Sequence, residues 1–124
     1  MLQGKMVAPT LPAKDLNRAV AFYRDTLGLP VEEERADGTM FTAGEGTRFL
    51  VFPTEFAGTA KNTAMAFRVD DAVQEVKDLK SKGVQFLEYD SGPVQTKDSI
   101  AEIEGLKGAW FTDTEGNIVA VFEM

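Results

Sequence analysis

The stretch GTMFTAGEGTRFLVF, Gly38 to Phe52, returns seventy residues later as GAWFTDTEGNIVAVF, Gly108 to Phe122. Seven of the fifteen positions are identical: Gly38/Gly108, Phe41/Phe111, Thr42/Thr112, Glu45/Glu115, Gly46/Gly116, Val51/Val121 and Phe52/Phe122. The correspondence continues upstream, where Met6–Leu29 lines up with Thr63–Val84. Each of those segments begins with a short strand pattern, passes an Asp, runs through one helix and stops at a glycine. A chain of 124 residues built this way is a duplicated module, neither half of which buries its apolar faces well alone.

Helical spacing defines the two helices. Leu16, Ala19, Val20, Tyr23 and Leu27 follow Asp15, the N-cap candidate, and Gly28 ends the run. In the second copy Asp71 and Gln74 have capping-box spacing. Ala72, Val73, Val76 and Leu79 make the buried stripe there, and Gly83 closes it. Strand-like runs follow each helix: 31–35, 39–43 and 47–52 in the first copy, and 84–89, 108–113 and 117–122 in the second. Each half therefore reads β-α-β-β-β, as module 1 over about 5–53 and module 2 over about 62–124 of a single domain, 1–124. The halves differ between Asp90 and Gly108, where only the second carries a long loop, 91–107. Such a loop reads either as a ligand lid or as a surface insertion.

Composition narrows the chemistry. The chain has no histidine, so no His general base, Ser–His pair or His-ligated metal can be built. It has no cysteine, hence no disulfide or thiolate chemistry, which suits a cytoplasmic protein. A net charge of −7 argues against nucleic acid, which needs a basic footprint. No segment approaches a membrane span and none reads as a signal peptide.

The paired modules, with DLNRAVAFYRDTLGL (Asp15–Leu29) in the first and DTEGNIVAV (Asp113–Val121) in the second, resemble the glyoxalase/bleomycin resistance protein/dioxygenase superfamily, or vicinal oxygen chelate fold. The resemblance spans essentially the whole chain. It implies an α+β fold in which two β-α-β-β-β modules form a curved eight-stranded mixed sheet around a cleft, helices on the outside, and it implies a homodimer. It also implies four metal-ligand positions, filled in the enzymes by His, Gln or Glu. In this sequence those positions fall on Ala8, Leu50, Ala64 and Ala120, which carry no donor atom. No metal and no cofactor are expected.

Strand alternation assigns neighbours to the face of those positions. Met6 and Thr10 flank Ala8; Arg48 and Phe52 flank Leu50; Ala66 and Arg68 share the face of Ala64; Phe122 and Ile118 share that of Ala120. Trp110 is placed inward by analogy. Small residues beside aromatic ones leave an apolar hollow for a small-molecule ligand, or else pack together and fill it. Arg48 and Arg68 either clamp an anionic ligand group, pair with a Glu, or stand in water. Tyr89, Asp90 and Glu102 read as loop residues that can also reach a ligand; Glu32–Glu34 reads as a solvated acidic run. The favoured expectation is a metal-free protein that binds a small aromatic metabolite or antibiotic. The alternatives are an enzyme of the same superfamily, a lyase, isomerase or dioxygenase type with a displaced metal or side-chain acid/base chemistry, and a regulatory partner domain whose cleft is filled.

Overall fold

Asp15 starts the first helix as its spacing predicts. Its carboxylate accepts the N–H of Arg18 at 3.0 Å, which satisfies one of the orphan donors of the first turn. In the computed structural model, which describes residues 1–124, helix α1 spans Leu16–Ala21 and widens into a π-helical turn over Phe22–Thr26. Gly28 follows with φ +75°, the left-handed conformation that lets the chain leave the helix.

Residues Met1–Ala57 form one compact unit and Gly58–Met124 another. In the first, strands β1 (Thr10–Ala13), β2 (Val31–Arg35), β3 (Gly38–Thr42) and β4 (Arg48–Pro53) make a sheet of order β1-β4-β3-β2, with β1 parallel to β4 and the other pairs antiparallel. Leu11, Phe41, Phe49 and Val51 share one face of this sheet and are fully buried with Tyr23. The Phe41 and Phe49 rings stack at 5.2 Å, and Tyr23 meets Phe49 edge-on at 5.3 Å.

The second unit repeats the plan. Its strands are β5 (Thr63–Val69), β6 (Gln85–Phe86), β7 (Ala101–Ile103), β8 (Leu106–Thr112) and β9 (Ile118–Glu123), with helix α2 at Ala72–Ser81. The order β5-β9-β8-β6 matches the first sheet strand for strand, and β7 pairs with β8 beside it. Phe111, Val119 and Val121 are buried on one face, as is Val76 of α2. The α+β class and the duplicated module are thus present.

Several details depart from the expectation. Nine strands form, not eight, because Glu104 and Gly105 adopt φ +51° and +83°, a two-residue turn that folds part of the insertion back on β8. The predicted strand 84–89 pairs only over Gln85–Phe86, since the chain beyond Leu87 turns into the loop. The first strand begins only at Thr10, so Met6 and Ala8 lie upstream of it; β4 offers Thr10–Ala13 just four register partners. The predicted reciprocal capping box does not close either. Asp71 accepts the N–H of Gln74 at 3.1 Å, but the Gln74 side chain donates to Asp78 at 2.9 Å, one turn along the helix.

Helix α2 is fastened to its sheet by Glu123. One carboxylate oxygen accepts the N–H of Ala72 and the other that of Lys107, both at 3.0 Å. The Ala72 hydrogen bond, with that of Lys107 second, holds this carboxyl below the usual Glu value. A depressed folded-state pKa stabilises the fold above the unfolded carboxylate value, and that contribution disappears as pH falls through the folded value. Glu123→Gln should therefore lower the urea midpoint at pH 7. The gap from wild type should narrow as the titration is taken into acid, and a gap independent of pH would contradict this assignment.

Candidate functional site

In the second unit the strand registers set side chains of one face in rows. Ala66, Ala120 and Trp110 lie side by side across β5, β9 and β8, and Arg68, Phe122 and Gly108 form the next row. Trp110 and Ala120 are buried with Ala101, while Leu87, Tyr89, Val94, Ile118 and Phe122 pack against them. The indole meets Tyr89 edge-on at 5.4 Å and Phe122 edge-on at 5.3 Å. The deep end of this face is filled by the chain's own rings. Its other end is open, because Ala66 and Arg68 on the edge strand β5 are exposed; Ala64 is the extra residue of a bulge between Thr63 and Met65, so Thr63, opposite Ile118, takes the place on this face that alternation gives to Ala64. The Arg68 side chain makes no hydrogen bond or ion pair, so its guanidinium donors are free for an anionic group.

In the first unit Thr10, Leu50 and Met40 form the corresponding row, with Arg48 opposite Thr42 and Phe52 opposite Pro12. Leu50, Phe52 and Arg48 are half-buried, Thr10 is exposed, and Met6 stands out in solvent at 77% exposure. Arg48 is engaged by Glu32, whose carboxylate lies 2.9 Å from its terminal nitrogen. A bulge between Val31 and Glu33 makes Glu32 the extra residue of β2, which re-aims its side chain toward β4. Glu32 therefore leaves the solvated acidic run that the sequence suggests. A shallow depression elsewhere in this unit is lined by Lys14, Pro53, Thr54 and Glu55.

The four positions implied for a metal do not fit one. Ala8, Leu50, Ala64 and Ala120 carry no lone pair, and no three His, Cys, Asp or Glu side chains converge anywhere in the chain to replace them.

The DTEGN turn, Asp113–Asn117, is a structural element. Asp113 Oδ1 accepts the N–H groups of Glu115 at 2.8 Å and Asn117 at 2.9 Å, and Oδ2 accepts the Asn117 amide at 2.8 Å. Two residues that the alternation passed over shape the aromatic end. Glu88 accepts from the Ser99 hydroxyl at 2.6 Å, the Ser99 N–H at 2.9 Å and the Thr96 hydroxyl at 2.9 Å. Val94 reaches the Trp110 cluster from inside the insertion. Their only sequence signal is that they flank or occupy the segment that module 1 lacks. No helix is long and apolar enough to cross a membrane.

Two duplicated β-α-β-β-β units, each of sheet order first-fourth-third-second, define the class. The chain belongs to the Glyoxalase/Bleomycin resistance protein/Dioxygenase superfamily, whose family profile matches residues 5–121. An uncharacterized protein of Bacillus subtilis (strain 168), YraH, is 26% identical over 97% of this chain and 98% of its own. The crystal structure of a bleomycin-binding protein complexed with bleomycin superimposes with a TM-score of 0.70 at 22% identity, covering 97% of this chain and 98% of that one. FosX, a fosfomycin resistance protein from Listeria monocytogenes complexed with Mn(II) and a dihydroxypropylphosphonic acid, superimposes at 0.69 with 17% identity, covering 98% and 90%. At these identities the two structures share the fold.

Proposed function

We propose that this protein binds a small, partly aromatic organic molecule without a metal, as a sequestering protein of the antibiotic-resistance kind. The observation that carries this reading is the open end of the second unit's sheet face. There the free Arg68 side chain lies beside Phe122 and the small Ala66 beside Ala120, with Ala64, in the bulge between Thr63 and Met65, one of the positions that the family resemblance implies for an ion. Methyl groups leave room, the Phe122 ring offers an apolar wall, and the guanidinium offers a fork of donors for a carboxylate or phosphate. Trp110 and Ala120 form the floor behind them. In the first unit Thr10, Leu50 and Phe52 present a second apolar strip, with Arg48 held by Glu32 at its end and Met6 and Ala8 upstream; we assign these to ligand contact as well. We further assign the protein to the cytoplasm, as a homodimer. Light scattering on a sizing column checks the dimer.

Bleomycin is the first probe, because a structural relative holds it. At a concentration about 100 times the dissociation constant, a ligand that binds only the folded state adds about 2.7 kcal/mol. For a domain of this size that raises Tm by about 8–15 °C. Arg68→Ala should leave the unliganded Tm where it was and shrink the shift given by an aromatic carboxylate or phosphate. A flat response to bleomycin and to a panel of aromatic anions would overturn the binding reading. The likeness to Mn(II)-bound FosX favours a second reading, an enzyme of the superfamily with a displaced metal. Stoichiometric retention of Mn(II) after gel filtration would put that reading first.

A further inference from the structure

The second unit differs from the first in the segment between β6 and β7, and that segment is held in an unfavourable backbone conformation. Asp98 and Ser99 have φ of +52° and +71°, which residues with a Cβ adopt only at a cost. They form a tight turn closed on both sides, with Lys97 N–H donating to Ile100 O at 2.9 Å and Ile100 N–H donating to Lys97 O at 3.0 Å. Ser99 is buried at 1% exposure, so its N–H and hydroxyl need partners inside the protein. Glu88 supplies both, one oxygen to the N–H and the other to the hydroxyl, and the first oxygen also takes the Thr96 hydroxyl. Thr96 is tied in turn to Tyr89, through Tyr89 N–H to the Thr96 hydroxyl at 2.8 Å and Thr96 N–H to Tyr89 O at 2.7 Å. The carboxylate thus ties the Thr96 end of the 89–96 loop to the Ser99 turn, while Tyr89 and Thr96 close the loop between themselves. That loop carries the Tyr89 ring and the Val94 side chain that cover Trp110.

We propose that Glu88 is a positioning residue that latches the 89–96 loop onto Trp110 and so sets how much of the indole a ligand can reach. Built on the binding function proposed above, the inference assigns its regulation to a loop found in only one of the two modules. With the latch closed, Tyr89 and Val94 cap the aromatic end and a ligand is confined to the open Ala64–Arg68 end. With the latch released, the loop, still closed by its Tyr89–Thr96 hydrogen bonds, loses its tie to the Asp98–Ser99 turn, that turn relaxes, and the indole face becomes available for stacking. The Ser99 hydroxyl hydrogen bond also holds the Glu88 carboxyl below its usual range, so the acceptor stays charged to lower pH than an ordinary glutamate does.

Trp110 is the one tryptophan of the chain, so its fluorescence reads the latch directly and without any ligand. Glu88→Ala should red-shift the emission and raise the acrylamide quenching constant about twofold or more, with unchanged far-UV circular dichroism, as expected for local opening. Glu88→Gln keeps an acceptor oxygen and should stay near wild type. Ser99→Ala and Thr96→Val each remove one hydroxyl and should move quenching the same way by a smaller amount. These two read the latch if Glu88→Ala does not fold. Wild-type quenching in folded Glu88→Ala, or in both milder variants, would overturn the proposal. The bleomycin titration fails or succeeds independently of this readout, so loss of the binding function and loss of the latch are distinguishable.

Discussion

Gly38→Ala should lose about 3 kcal/mol or more of stability, a Tm drop of roughly 10–20 °C, whereas Gly108→Ala, the same residue of the other repeat, should lose less than half as much. A methyl at Gly38 would collide with the backbone carbonyl oxygen of Val51, and the position has φ +151°, outside the range of a side-chain-bearing residue. Val51 is paired with Thr39 in the middle of the first sheet and fully buried, so its carbonyl has nowhere to go. At Gly108 the obstacle is the Phe122 ring, a side chain that can swing aside. The swing breaks the edge contact with Trp110, so Gly108→Ala should change tryptophan emission more than it changes Tm. Chemical denaturation of the two variants side by side decides the matter. Equal losses would show that the repeated glycine has one role in both copies.

Asp113→Ala is the second large effect. The carboxylate is buried at 6% exposure and accepts three hydrogen bonds, from the Glu115 N–H, the Asn117 N–H and the Asn117 amide. Removing it leaves three donors without their acceptor in a turn where water replaces only part of the loss, for a cost of about 2–4 kcal/mol. Asp113→Asn keeps an oxygen for the two backbone donors but sets an amide nitrogen against that of Asn117, so it should cost about half of that. Urea unfolding followed by circular dichroism measures both. A loss below about 1 kcal/mol for Ala would mean that the turn holds its shape through its backbone alone.

Particular residues show where reading the sequence succeeds. Asp15 and Asp71 cap their helices, and Gly28 and Gly83 leave them with positive φ, because capping and glycine conformation are settled within a few residues of chain. Period-two alternation separates Phe49 and Val51, buried, from Arg48, Leu50 and Phe52 on the other face, whereas analogy, not alternation, sets Trp110 beside Ala120. It fails where partners come from afar. Glu123 serves Ala72 from fifty-one residues away, and Glu88 serves Ser99 from eleven. The bulge that turns Glu32 toward Arg48 has no mark in the run of glutamates.

The amino-acid sequence by itself determined the duplicated module, the family, the start of both helices and the absence of donors at the four positions that the resemblance implies for a metal. These are matters of residue type and short-range periodicity, which a chain carries before it folds. Only the tertiary structure decided that Tyr89 and Val94 pack against the Trp110 cluster, that Arg48 is engaged while the Arg68 side chain is free, and that Glu88 accepts from Thr96 and Ser99. Those outcomes depend on which side chains a register and a turn bring within 3 Å, and hydrogen bonds act only at that range.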